Sequence, residues 1–173
     1  AEVTVVKANT TAEIPNFVKI VEVSSAKDMF DAVTALSDQQ DIIVKAAAVA
    51  DYTPESYVDS KIKKKDGDLS IPLKRTMDIL KYLGENKKEG QFLCGFSMET
   101  QNLLENSRSK LERKGLDMIC ANSLKDAGAG FGGNTNIVTI ITKDDETELG
   151  KLSKFDTAMA IIDKAKALSQ KLG

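Results

Sequence analysis

Three short and nearly unbroken apolar runs constrain this chain most: Asp41 to Ala50, Gln91 to Phe96 and Leu116 to Ala121. Runs of that length suit strands covered on both faces, which is how parallel sheets read. Segments of helical period separate them. Met29, Ala32, Val33 and Leu36 recur at helical spacing behind a Ser24-Ser25 cap, and Thr76 to Leu83 reads as a short helix. Thr100 to Gly115 carries Leu103, Leu104 and Leu111, with Gly115 as its C-cap. This alternation predicts an α/β fold built on a mostly parallel sheet.

The flanks add detail. Val3 to Val6 and Val18 to Val23 are β-branched runs on either side of a polar loop, Ala8 to Pro15. Asp51 to Asp68 reads as a long loop, and Leu69 to Leu73 as an edge strand, since Pro72 has no donor for a central ladder. Glycine-rich Ala127 to Asn134 precedes a hairpin, Ile137 to Thr142 and Glu146 to Leu149, turning at Asp144-Asp145. Ser153 and Asp156 then form a capping box for a last helix, with Phe155, Met159, Ile162, Ala165 and Leu168 on its expected core face. A length of 173 residues suits one domain spanning residues 1–173.

Composition narrows the chemistry. The chain has no His, which excludes imidazole bases, Ser-His-Asp and Cys-His hydrolases and most catalytic zinc sites. Its 24 basic and 26 acidic residues leave a net charge of -2, without the basic excess that duplex binding needs, so no nucleic-acid partner is expected. Cys94 and Cys120 each sit in an apolar run and read as reduced, buried thiols. No stretch reaches the ~18 apolar residues of a spanning helix, and the N-terminus has no signal-peptide pattern. A cytoplasmic protein without a membrane partner is the expectation.

In open α/β sheets the ligand sits beyond the carboxyl ends of the strands. Polar residues follow three of the predicted strands: Asp51, Tyr52 and the Lys61–Lys65 run, then Ser97, Glu99 and Thr100, then Asn122 and Ser123. The Lys61–Lys65 run, four lysines in five residues, reads either as a solvated loop or as a cationic flap over phosphates. Lys110 and Lys114 share a helix face at i,i+4, a spacing that also serves solubility alone. Ala46 to Ala48 suit either core packing or the close approach of a flat base to backbone. Glycines 128, 130, 132 and 133 suit an anion nest or a plain loop.

Five segments occur in order from Ala46 to Asn122: Ala46-Ala-Ala-Val-Ala-Asp-Tyr52, Lys61-Ile-Lys-Lys64, Asp78-Ile79, Gly95-Phe96-x-x-Glu99-Thr100 and Lys110-x-x-x-Lys114-x-x-Asp117-x-x-x-Ala121-Asn122. Together they closely resemble phosphopantothenoylcysteine synthetase, a coenzyme A biosynthesis ligase often fused to a flavin-dependent phosphopantothenoylcysteine decarboxylase. The resemblance implies a Rossmann-like three-layer sandwich with a C-terminal antiparallel addition. It also implies a homodimer that uses CTP and Mg²⁺ to join 4'-phosphopantothenate to L-cysteine through an acyl-cytidylate.

Carried over by position, Lys61 matches the catalytic flap lysine at the triphosphate, and Asp51 an acidic nucleotide-binding residue. Lys45, Ala46 and Ala47 lie where backbone reads the base. Met77, Asp78, Ile79 and Leu80 match a nucleotide-contacting turn that begins with Pro in many relatives. Phe96 matches a nucleotide-pocket residue, and Lys110 and Lys114 match phosphate-side lysines. Asn122 and the Gly130 to Asn136 region fall in a segment associated with dimer contacts. The family pattern opens with a Gly-rich turn and an Asn-x-Ser-Ser-Gly segment. This chain starts at a position matching the second strand, so a first strand–helix unit is expected to precede it. Two alternatives share the fold class: a nicotinamide-dependent oxidoreductase and a non-catalytic anion-binding module.

Overall fold

A computed structural model of the chain describes residues 1–63, 67–99, 101–123 and 134–171. The elements run β1 (Thr4–Lys7), β2 (Lys19–Glu22), α1 (Ala26–Ser37), β3 (Ile42–Lys45), β4 (Tyr52–Pro54), β5 (Leu73–Arg75), α2 (Ile79–Glu85), β6 (Phe92–Glu99), α3 (Leu103–Arg113), β7 (Met118–Ser123), β8 (Thr135–Thr142), β9 (Glu146–Ser153) and α4 (Lys154–Ser169). They divide into two compact units, Ala1–Val33 with Ala48–Asp78 and Thr34–Ala47 with Ile79–Gly173.

In the first unit β1 and β2 pair in parallel, Thr4 against Lys19 and Lys7 against Glu22. The start of α1 is capped from both directions. Ser25 Oγ accepts the Asp28 amide at 3.1 Å, and the Asp28 carboxylate accepts the Ser24 hydroxyl at 2.8 Å. Bonds from Ser24 and then Ser25 hold that carboxyl below the usual range. The expected loop after Asp51 instead opens with a strand, since β4 pairs antiparallel with β5. The expected edge strand Leu69 to Leu73 is displaced to Leu73–Arg75 for the same reason. Pro72 offers only its carbonyl, which accepts the Glu55 amide at 2.9 Å, so the ladder proper begins after it.

The second unit holds a five-stranded sheet in the order β3-β6-β7-β8-β9. Its first three strands are parallel, and β8 and β9 add antiparallel. Successive residues of a strand face opposite sides, so each inner strand serves two cores. On one side Phe92, Cys94, Met118, Cys120, Val138 and Ile140 meet Ile161 and Ala165 of α4. On the other side α2 and α3 cover the sheet, where Leu80 and Leu116 close over the α-carbon of Gly95 and Ser97 hydrogen-bonds Ser107 at 2.7 Å. The alternation predicted the α/β fold with a mostly parallel sheet, and the resemblance implied the sandwich with a C-terminal antiparallel addition; both are observed here.

Two expectations about burial are corrected. The Asp41 to Ala50 run is a strand only over Ile42–Lys45, and it lies at the sheet edge among the described residues. Ile42 and Val44 therefore stay 38% and 43% exposed rather than covered on both faces. On α4 the buried residues are Thr157, Ile161 and Ala165, while Phe155, Met159 and Ile162 stand in solvent. The cap sets the helix phase. Ser153 Oγ accepts the Asp156 amide at 3.0 Å, and Thr157 donates its hydroxyl to Ser153 O at 2.8 Å, which lets that polar side chain turn inward.

Both cysteines are free and buried, with their sulfurs 3.8 Å apart. The hydrogen-bonded Cys94 thiol and then burial push the Cys120 thiol far above its ordinary range, which keeps it unreactive.

Asp117 ties β7 to β6. Its Oδ2 accepts the Leu93 amide at 2.7 Å, its own amide donates to Leu93 O at 3.0 Å, and its Oδ1 takes Lys87 Nζ at 2.6 Å. Asp117→Ala leaves a buried amide and a half-buried ammonium without partners, so a loss of about 2–3 kcal/mol in urea unfolding is expected. At the hairpin turn, Asp145 accepts Lys164 Nζ at 2.7 Å and the Thr147 hydroxyl at 3.1 Å, and these hold its carboxyl below the ordinary 3.8. A depressed carboxyl stabilises the fold above its ordinary value and stops doing so as pH falls through the folded value. Asp145→Asn is therefore expected to lower the thermal midpoint at neutral pH, with the gap to wild type closing below pH 3.8.

Candidate functional site

Because β3, β6 and β7 are parallel, their carboxyl ends at Lys45, Glu99 and Ser123 lie along one edge of the second unit. Lys45 stands opposite Gly95 in the register, and its ammonium donates to Ala47 O at 2.7 Å. Ala46, Ala47 and Ala48 are exposed, so core packing is not why this stretch is small. Phe96 packs against the Cys94–Cys120 side of the sheet, and its carbonyl accepts Lys110 Nζ at 3.2 Å. Lys110 is thereby tied to the β6 tip segment.

Lys114 is the C-cap residue of α3, one turn further from the strand tips. Its carbonyl lies against α2, where a Cβ at Gly84 would come within 1.8 Å of that oxygen. Gly84 thus sets how closely α2 and the end of α3 approach. The sequence places the end of this helix at Leu83, just before Gly84, whereas α2 runs over Ile79–Glu85 and so holds a glycine inside it, a position that normally costs stability. Ile79 and Leu80 are 2% and 3% exposed, so their side chains belong to the core and only their backbone is left to meet a ligand. Ser97 is likewise removed from the polar convergence, being buried against Ser107. Glu99 accepts Asn106 Nδ2 at 3.2 Å.

In the first unit, Thr76 fastens Asp51 to the following turn. Its amide donates to Asp51 O at 3.0 Å and its hydroxyl to Ala50 O at 2.6 Å. Asp51, Met77 and Asp78 are exposed on this scaffold, and Arg75 stacks over the Tyr52 ring at 5.7 Å. Lys61 is exposed in the connection between β4 and β5. Lys64, Lys65, Thr100 and the glycines at 128, 130, 132 and 133 lie outside the described residues. Among the described residues no group of three or more Asp, Glu or Cys gathers as a metal cage, and no helix is long and apolar enough to cross a membrane.

Residues 1–168 match the DNA/pantothenate metabolism flavoprotein C-terminal domain. The chain belongs to that family. This C-terminal domain is 50% identical over 156 residues to the coenzyme A biosynthesis bifunctional protein CoaBC of Bacillus subtilis (strain 168), spanning 90% of this chain and 38% of that protein. It is 44% identical over 166 residues to a cysteine/cysteine sulfinic acid decarboxylase from an unknown prokaryotic organism, spanning 95% of this chain and 46% of that one. A crystal structure of the C-terminal domain of CoaBC has the same fold, with a TM-score of 0.81 at 36% identity over 98% of this chain and 76% of that chain. The chain spans less than half the length of these two curated relatives. The family resemblance carried by the five motif segments is thus established for the flavoprotein C-terminal domain as a whole.

Proposed function

We propose that this chain is the phosphopantothenate–cysteine ligase part of coenzyme A biosynthesis. The observation that carries the reading is 50% identity over nine-tenths of the chain to a coenzyme A biosynthesis protein, together with the five motif segments. We further propose CTP as the activating nucleotide. A carboxylate oxygen of 4'-phosphopantothenate attacks the α-phosphorus of CTP, the bond to the β-phosphate oxygen breaks, and pyrophosphate leaves. The amine of L-cysteine then attacks the acyl carbon of the cytidylate, CMP departs with the bonding pair, and the amine gives up its proton to form the amide.

Both steps gather negative charge on oxygen, and fixed cations stabilise such charge without any imidazole. Lys61 is assigned to the triphosphate as the catalytic lysine, with Lys110 and Lys114 toward the phosphates. By the family resemblance, nucleotide binding is assigned to Asp51, to the backbone of Lys45, Ala46 and Ala47, to Phe96 and to the turn of Met77, Asp78, Ile79 and Leu80. Buried Ile79 and Leu80 support a backbone role for that turn. A magnesium ion carried in on the triphosphate belongs to the proposal, since Mg²⁺ is commonly held through substrate phosphates. When bound, that ion neutralises phosphate charge. A homodimer, a flavin-dependent decarboxylase fused or associated with the chain, and a cytoplasmic setting belong to the same proposal.

A thermal-shift titration tests the nucleotide assignment, because a ligand specific to the folded state stabilises it by about 2.7 kcal/mol at a hundredfold excess over Kd. CTP is expected to raise the midpoint by several degrees and NADPH to leave it unmoved; the opposite pattern favours the oxidoreductase. Lys61→Gln is expected to cut pyrophosphate release by about 10²–10³-fold, with the midpoint nearly unchanged, since an exposed loop lysine contributes little stability. Undiminished turnover in that variant removes Lys61 from catalysis.

A further inference from the structure

Hydrogen bonds around Thr76 follow the β4–β5 ladder and then reach one step past it. Opposite residues in an antiparallel ladder alternate between hydrogen-bonded and non-hydrogen-bonded pairs. The Glu55 amide donates to Pro72 O at 2.9 Å and the Thr76 amide to Asp51 O at 3.0 Å, so both of these are hydrogen-bonded pairs. Tyr52 and Arg75, opposite each other between them, form a non-hydrogen-bonded pair, where side chains stand closest, and Arg75 lies over the Tyr52 ring. Continued by one residue, the same register sets Ala50 opposite Met77. That position is again non-hydrogen-bonded, so no ladder bond joins the two chains there. The Thr76 hydroxyl supplies one, donating to Ala50 O at 2.6 Å. Consecutive carbonyls of an extended strand point to opposite edges, yet Thr76 reaches both Ala50 O and Asp51 O, and the chain bends at Asp51.

We propose that Thr76 is a positioning residue for the activating nucleotide. Its two bonds hold the Asp51 backbone and the exposed Met77 and Asp78 at a fixed spacing, so that one nucleotide meets both. All these residues belong to the first unit. The inference rests on the CTP reading, which assigns Asp51 and the Met77–Asp78 turn to the nucleotide, and it adds a residue that acts through them. With the amide bond alone, the turn can swing about a single tie. Binding then has to order it, a cost that the hydroxyl removes in advance. Loss of the hydroxyl therefore weakens nucleotide binding and leaves the chemical step alone.

Thr76→Val and Thr76→Ser in the full chain test this by equilibrium titration with CTP, by kinetics of pyrophosphate release and by thermal unfolding. Valine keeps the branched shape without the hydroxyl, and serine keeps the hydroxyl. Thr76→Val is expected to weaken CTP binding and raise the KM for CTP about tenfold. Its kcat and its KM values for 4'-phosphopantothenate and L-cysteine are expected within about twofold of wild type. Thr76→Ser is expected to bind CTP as wild type does, and both midpoints to stay within about 2 °C of wild type. Wild-type CTP affinity in Thr76→Val overturns the proposal. An equal loss in Thr76→Ser overturns it too, as does a fall in kcat at unchanged KM. A midpoint lowered by more than about 5 °C with every KM raised also overturns it and leaves Thr76 a role in stability alone. Failure of wild type to bind CTP removes the nucleotide reading and this proposal with it, a result distinct from wild-type binding that the valine variant matches.

Discussion

The register between β6 and β7 is the constraint on which the second unit depends, and Asp117 holds it. One carboxylate joins the Leu93 amide to the Lys87 ammonium just before β7 begins, so Cys94 falls opposite Met118 and Phe96 opposite Cys120. A slip of one residue would exchange the faces of every side chain on the strand. It would send Met118 and Cys120 toward α3 and bring Ile119 and Ala121 against α4, and both cores would fail together. The same register decides which residues reach the carboxyl edge. Asn122 and Phe96 share a face there because of a bond made at the opposite end of the strands.

Close approach does the remaining positioning. Gly95 lets Leu80 and Leu116 close over β6, and Gly84 lets α2 reach the end of α3. The core on that side therefore needs no aromatic filler, and α3 comes near enough for Lys110 to bond the Phe96 carbonyl. On the other side Cys94 and Cys120 fill adjacent space as small apolar groups. Both are fully buried, and the Cys94 thiol together with burial pushes the Cys120 thiol far up, so their part is packing rather than chemistry.

Much of this was legible from local signals. Both Ser caps, the hairpin at Asp144-Asp145 and the runs that became β6 and β7 announce themselves within a few residues, because capping and alternation are short-range effects. The motif segments were legible too, as a resemblance. What misled was apolar content read without a partner. Phe155, Met159 and Ile162 look like a core face, yet the cap at Ser153 turns Thr157, Ile161 and Ala165 inward. The apolar run at Asp41 looks like a central strand, yet among the described residues it has a neighbour on one side only.

By itself, then, the sequence determined the fold class, the order of most elements and the chemistry available: lysines and carboxylates, no imidazole. Those follow from residue identity and near spacing. Only the tertiary structure decided that Ser97 is structural, that Gly84 must be a glycine, that Ile79 and Leu80 offer backbone alone, and that the Asn122 oxygen is buried without a partner. Each of these depends on what a distant part of the chain places beside the residue. Burial and hydrogen-bond satisfaction are properties of that company, which no local pattern encodes.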